Sequence, residues 1–309
     1  MIALPAAARA LVRTTPLVEA PSLGCWLKLE SLQRTGSFKL RGAAVALAAL
    51  DDQERRQGVV VASAGNHGAG IAFAAARLAI PARVIVPSTT PEAKRRNITS
   101  YGAELRVAGH TYEEAEAEAM AEARATGRRF ISPFDDERVI DGNGRWLGVE
   151  LSGQIPGLAT VVVPVGGGGM AAGLAEVLAP AGVRIIGVQP RTNCAMHESL
   201  RLGRALTTYQ GGPTACEGLE GPVAERTFRL ARAGGLHTLL VDEEAILEAM
   251  AFAYLSLGLL VEASAAVGLA ALREGLVPPT PRTVVIVTGQ NLDPELLDQA
   301  VARYSKAKG

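Results

Sequence analysis

The feature that most restricts the fold is an alternation of short apolar runs with stretches of helical periodicity. Residues 59–62, 83–87, 104–107 and 130–131 read as strands, with helical patterns over 70–78, 91–101 and 111–126 between them. The pattern restarts after Gly144, with strands at 159–165, 184–188, 238–241 and 283–287. Helices over 170–178, 243–257 and 264–273 fill the gaps, and another begins near Asp293. Ahead of all this, Thr14-Thr15-Pro16-Leu17 is extended and 26–30 alternates like a strand; a Gly-Ser break then leads into an Ala-rich helical run from Lys39 to about Ala49. Apolar strands each followed by a helix specify parallel sheets with right-handed crossovers. The predicted fold class is α/β: two open, twisted parallel-sheet domains with flanking helices. The expected division sets 1–47 and 141–309 against 48–140.

Composition narrows the function classes. Of 309 residues, 48% are hydrophobic and 20% charged, enough apolar material for a large core and too much for disorder. With zero formal net charge and no basic stripe, nothing points to nucleic acid, and no polybasic amphipathic segment points to a membrane. Residues 1–10 are Ala-rich but match neither a signal peptide nor a spanning helix. Cys25, Cys194 and Cys216 are too few and too scattered for a disulfide framework or a metal site, so no metal is expected. The expected setting is a reducing cytoplasm.

The chemistry centres on Thr35-Gly36-Ser37-Phe38-Lys39. The lysines are Lys28, Lys39, Lys94, Lys306 and Lys308 alone among 31 basic side chains, arginine holding the rest. Lysine, unlike arginine, loses its proton when apolar neighbours desolvate it. A neutral amine is what a Schiff base requires. Taken by itself, Lys39 is also readable as a helix-start lysine whose stem lies on apolar neighbours.

Four further stretches stand where a parallel sheet presents ligand contacts. Ser63-Ala64-Gly65-Asn66-His67-Gly68 follows a strand and opens a helix, where backbone N–H groups suit a carboxylate. Asn66 can donate to a phenolate-like oxygen; the alternative is a tight turn with Ser63 as N-cap. Gly166-Gly167-Gly168-Gly169-Met170 follows the strongest strand. Four glycines in a row cost backbone entropy and add no packing, which close approach to a phosphate at a helix start explains. No Lys-Ser/Thr follows, as a Walker A loop needs, and the dinucleotide spacing is absent, so the expected phosphate is not a nucleotide's. Thr288-Gly289-Gln290-Asn291 ends the last strand: its hydroxyl can meet a heterocyclic nitrogen, or the stretch is a helix start capped near Asn291. The fourth, 217–221 with 262–265, lines the same cleft or caps helices. Lys94-Arg95-Arg96 reads as a surface cluster rather than a phosphate site, and the acidic run from Glu113 to Glu122 as a solvated helix face with Ala inward.

Together, a scarce amine, a phosphate cradle, a carboxylate turn and a hydroxyl for a ring nitrogen describe a pyridoxal-phosphate site. The sequence resembles the fold-type II pyridoxal-phosphate enzymes, which have the tryptophan synthase beta-like fold, and specifically the serine/threonine dehydratase and serine racemase group. The motifs KLESLQRTGSFKLRGA, ASAGNHGAG, PVGGGGMAAG, VEASAAVGLAAL and VIVTGQN occur in that family's order and span about 15–293. The resemblance implies that Lys39 carries pyridoxal 5'-phosphate, with Phe38 near the ring and Asn66 on the ring hydroxyl oxygen. Gly166, Gly167, Gly168, Gly169 and Met170 would hold the phosphate, and Thr288 would face the pyridine nitrogen. Ser63, Ala64, Gly65, Asn66 and His67 would bind the substrate carboxylate, Ser63 also counting as catalytic. It implies a large cofactor-binding domain (1–47 and 141–309), a small mobile substrate-side domain (48–140) and a homodimer.

The implied reaction is loss of water from L-threonine or L-serine, giving a 2-oxo acid and ammonia. Where cysteine and threonine synthases have Asn-Thr, this chain has Asn66-His67. Racemases usually place a second serine where Ala64 stands, and alanine has no proton to give. Dehydratase is thus favoured over serine racemase, with 3-hydroxyaspartate dehydratase as a further alternative and a threonine synthase-like enzyme behind it. Gly142-Asn143-Gly144-Arg145-Trp146 and Gln290 depart from the family pattern and leave the substrate open. Arg145 reads as a salt-bridge partner for a nearby helix rather than a second substrate-carboxylate site. One helix is expected after Asn291, too little for a regulatory extension, so isoleucine feedback is not expected. A catalytically inactive amino-acid sensor would not need Lys39, and a nucleotide-dependent oxidoreductase would need an acidic ribose partner that is missing.

Overall fold

The structure, a computed structural model, describes residues 4–308. Its ten strands among the described residues are β1 Leu17–Ala20, β2 Cys25–Leu29, β3 Val59–Ala62, β4 Ala82–Val86, β5 Glu104–Val107, β6 Arg129–Phe130, β7 Thr160–Pro164, β8 Arg184–Pro190, β9 His237–Val241 and β10 Thr283–Val287. Two compact units form: Met1–Arg13 with Gln33–Trp146, and Thr14–Leu32 with Leu147–Gly309.

The first unit is built on a parallel sheet of order β5-β4-β3-β6, with Val61 opposite Val84 and Val84 opposite Leu105. One face is covered by helices Lys39–Ala48 and Asn66–Leu78, which pack Leu40, Val45, Leu47 and Ile71 against Val59, Val61 and Val84. Each such side chain contributes about 1.5–3 kcal/mol when buried. On the other face, helix Tyr112–Thr126 packs Ala115 and Ala119 onto Val60, Ala62 and Ile85. The acidic run therefore faces outward as expected, except Glu122, which is buried and bonds Arg83 at 2.7 Å and Arg106 at 3.2 Å.

Packing draws the unit boundaries differently from the 1–47, 48–140 and 141–309 division. Ala8, Leu11 and Leu40 to Leu47 lie in the first unit's core, so that unit takes 1–13 and 33–48, and only 14–32 joins the other. Helix Lys39–Ala48 is held there by a π-helical turn, Asp141–Trp146. Asn143 accepts from the Gly42 amide at 2.8 Å, and a Cβ on Gly142 would fall 2.3 Å from the Arg41 carbonyl oxygen. Helix Asp52–Gln57 lacks an apolar stripe but carries a reciprocal cap: Asp51 accepts from Glu54 N at 2.8 Å and Glu54 from Asp51 N at 3.0 Å.

The second unit has a sheet of order β1-β2-β10-β7-β8-β9. All its pairings are parallel except β1 with β2, an antiparallel edge where the sequence suggests only an extended opening. Helices Glu243–Leu257 and Ala263–Arg273 pack Ile246, Met250, Ala266 and Leu269 on Leu27, Val162, Ile186 and Val285. Lys28, on β2, is 0% exposed and is fixed to helix Leu147–Gln154 by Glu150, with the Thr15 carbonyl and Gln154 Oε1 each at 2.8 Å. Among the described residues, no helix is long and apolar enough to cross a membrane.

Candidate active site

A ligand crevice in an open parallel sheet lies beyond the carboxyl ends of the strands, between the two whose connections leave in opposite directions. In the first unit these strands are β3 and β6, and in the second β7 and β10. The stretch 63–68 follows β3, the glycine run follows β7 and Thr288 follows β10. All three sequence-predicted turns therefore emerge at switch points.

In the first unit, helix Asn66–Leu78 begins after Gly65 at its N-cap position, with no side-chain cap. Ser63 does not hold the N-cap position: its hydroxyl accepts from the Gly65 amide at 3.2 Å, which closes the turn. The turn is tight, since a Cβ on Gly68 would fall 2.5 Å from the Ser63 carbonyl oxygen. Lys39 opens the neighbouring helix, and its backbone comes close to Gly70, whose Cβ would lie 3.3 Å from the Lys39 carbonyl group. The Lys39 amine donates to the Pro133 carbonyl at 3.1 Å and sits 5.2 Å from the centre of the Phe38 ring. His67 is buried, and its Nε2–H donates to the Ile131 carbonyl at 3.1 Å. The segment after β6 thus anchors both the amine and the turn at 63–68. Ser37 Oγ, two residues before the lysine, is buried without a hydrogen-bond partner among the described residues.

Burial pushes the His67 pKa down to about 3, helped by the nearby Lys39 ammonium and opposed by the Ile131 carbonyl. Its ordinary value is 6.5, so between those values an unfolded chain takes up a proton that the folded chain refuses. Stability from the neutral ring is full above that ordinary value and is lost as pH falls toward 3, by up to about 1.4 kcal/mol per pH unit. His67→Gln keeps a donor for Ile131 and is expected to flatten the acid limb of a stability–pH curve measured by urea unfolding. An unchanged slope would mean that the ring is not held neutral.

In the second unit, the glycine run opens helix Gly169–Leu178, and Gly168, at φ +90°, is its N-cap. That left-handed conformation suits glycine. The amides of Gly166, Gly167 and Gly168 donate to no carbonyl among the described residues. A Cβ on Gly166 would lie 3.1 Å from both the Gly218 carbonyl oxygen and Leu219 Cα. Gly218 N in turn donates to Ser264 Oγ at 3.0 Å, so the stretches at 217–221 and 262–265 meet each other and the glycine run. Thr288 is buried at the end of β10, and a Cβ on the adjoining Gly289 would fall on the Glu262 carboxylate. Helix Pro294–Lys308 is capped two residues past Asn291 by Asp293, which accepts from Glu295 N at 3.0 Å. Backbone donors free of carboxylate at a helix start suit a phosphate monoester, so these residues fit the phosphate of pyridoxal 5'-phosphate.

The predicted site residues divide between the units: Phe38, Lys39, Ser63, Ala64, Gly65, Asn66 and His67 in the first, Gly166 to Met170 and Thr288 in the second. Arg145 is paired with Glu137 at 2.5 Å and Asp141 at 2.7 Å, the salt-bridge reading, and Trp146 lies under the Arg41 guanidinium at 5.4 Å. Sequence reasoning missed Thr227, which is buried on helix Glu225–Ala233 and bonds the Gly167 carbonyl at 2.7 Å; no local pattern marks it.

The family model described as "Pyridoxal-phosphate dependent enzyme" matches residues 8–289. The chain belongs to that family. Among curated relatives, the L-threonine ammonia-lyase of Thermotoga maritima is 36% identical over 295 residues, covering 94% of this chain and 73% of that one. Among solved structures, the processed threonine deaminase isoform 2 of Solanum lycopersicum superposes with a TM-score of 0.89 at 32% identity, covering 96% of this chain and 89% of its own. Maize serine racemase gives 0.89 at 30% identity, covering 98% and 96%. This pyridoxal-phosphate dependent enzyme thus has the fold-type II architecture and falls in the serine/threonine dehydratase group that its motifs resemble.

Proposed function

We propose that the chain removes water from L-threonine and L-serine, releasing a 2-oxo acid and ammonia. The observation that carries this reading is the shared anchoring of Lys39 and the carboxylate turn: Pro133 holds the amine and Ile131 holds His67. An amino acid seated by its carboxylate on Ser63, Ala64, Gly65, Asn66 and His67 then presents its α-hydrogen to a base from the same unit. When bound, pyridoxal phosphate supplies the electron sink that makes this hydrogen acidic. Lys39 is the amine that bonds the cofactor and the base that takes the α-proton at Nζ. Gly166, Gly167, Gly168, Gly169 and Met170 would hold the phosphate, Asn66 would donate to the ring hydroxyl oxygen and Thr288 would offer its hydroxyl to the ring nitrogen. A hydroxyl at that nitrogen, rather than a carboxylate, leaves it largely unprotonated and the sink weak, which favours prompt loss of the β-hydroxyl.

Serine racemase is the second reading, favoured by the likeness to the maize structure. Ala64 argues against it, having no proton to deliver to the opposite face. A 3-hydroxyaspartate dehydratase is less supported, because Glu137 and Asp141 already engage Arg145. Release of 2-oxo acid from L-threonine, L-serine, D-serine and 3-hydroxyaspartate, with chiral analysis of the remaining serine, separates the three. Fast release from L-threonine with no D-serine formed is the expected result; rapid racemisation with little release would overturn it. The same reading assigns the second unit to the cofactor phosphate and the first to the substrate side. It sets the enzyme in the cytoplasm as a homodimer, which light scattering of the purified protein checks.

A further inference from the structure

A peptide with glycine on both sides has little to hold its orientation, because neither flanking residue restricts its torsions. The peptide between Gly167 and Gly168 is such a unit, at the mouth of helix Gly169–Leu178. A trans peptide is planar, with C=O and N–H pointing in opposite directions. Whatever fixes the Gly167 carbonyl therefore fixes the direction of the Gly168 amide. Thr227 Oγ1 lies 2.7 Å from that carbonyl oxygen, and its side chain is fully buried. The hydroxyl has a second acceptor, the Ala224 carbonyl at 3.1 Å, but one proton serves the nearer oxygen. Packing works in the same direction: a Cβ on Gly168 would fall 3.3 Å from Thr227 Cβ and 2.4 Å from Met196 Cε, so the loop's back rests on these two side chains.

We propose that Thr227 is a positioning residue of the phosphate cradle, its hydroxyl turning the Gly167 carbonyl inward so that the Gly168 amide points outward at the phosphate. The inference rests on the phosphate role given above to the glycine run. Thr227 does not touch the phosphate itself; it removes the alternative peptide orientation that would present a carbonyl oxygen to an anion. Loss of the hydroxyl should therefore weaken a phosphorylated ligand selectively.

The test compares pyridoxal 5'-phosphate with pyridoxal, which differ only in the phosphate. Each is titrated onto cofactor-stripped protein, following the violet absorbance of the lysine-bound aldehyde, with the unfolding temperature of the stripped protein recorded alongside. Thr227→Val is expected to raise the dissociation constant for pyridoxal 5'-phosphate about tenfold and leave that for pyridoxal within about twofold. Thr227→Ser, which restores the hydroxyl, is expected to recover wild-type affinity. Unchanged affinity in the valine variant would overturn the proposal, as would equal weakening of both aldehydes, the mark of a purely structural role. If the valine variant does not fold, Thr227→Ser against Thr227→Ala makes the same comparison: tight serine with weak alanine supports the proposal, and equal affinities sink it. Failure of the underlying reading looks different, since the wild-type protein would then take up neither aldehyde or both equally.

Discussion

Lys39→Ala is expected to fold and to do no chemistry: no violet absorbance with pyridoxal phosphate, and 2-oxo acid release down by more than roughly 10⁴-fold, the upper range for a lost general base. The fold should persist because the residue opens a helix and alanine is the best helix former. The loss includes the hydrogen bond to the Pro133 carbonyl and the contact with Phe38. The buried Lys28 cannot substitute, since it is held by Glu150, the Thr15 carbonyl and Gln154. Borohydride reduction of the wild-type holoprotein, followed by peptide mapping, should find the pyridoxyl group on Lys39 and on no other lysine. Wild-type turnover in the alanine variant, or an adduct elsewhere, would end the assignment.

Glu150→Ala is expected to cost about 3 kcal/mol of stability, at the lower edge of what breaking a buried ion pair costs. Lys28 is 0% exposed, so its ammonium would lose the Glu150 carboxylate without gaining water. Two neutral oxygens remain on it, which keeps the penalty from being larger. Thr15 N also loses its acceptor on Glu150, at 3.3 Å. Urea unfolding should show the loss in the transition of the second unit. Replacing both partners by apolar residues, Lys28→Met with Glu150→Leu, should recover most of it, because neither charge is then stranded. A single-variant loss below about 1 kcal/mol would mean that water reaches the ammonium.

Legibility of the fold followed local periodicity. Strands at 59–62, 104–107 and 283–287 were readable to the residue, the first and last as apolar runs and 104–107 as a polar–apolar alternation. Helix Asp52–Gln57 has no apolar stripe, although the Asp51–Glu54 cap that starts it was there to be read. The direction of β1 was not readable, because four residues leave strand direction to the partner. The assignment of 33–48 to the first unit depended on what Leu40, Val45 and Leu47 touch, which hydrophobicity alone does not reveal.

By itself, the sequence determined the α/β alternation, the turns that follow β3, β7 and β10, and the scarce lysine among arginines. Each is a local property, carried by consecutive residues and their backbone freedom. Tertiary structure decided the rest: that Ile131 and Pro133 anchor both His67 and Lys39, that Glu150 claims Lys28, and that Thr227 reaches the Gly167 carbonyl from 60 residues away. These pairings join chain segments whose meeting depends on strand order and helix packing, so no window of neighbouring residues contains them.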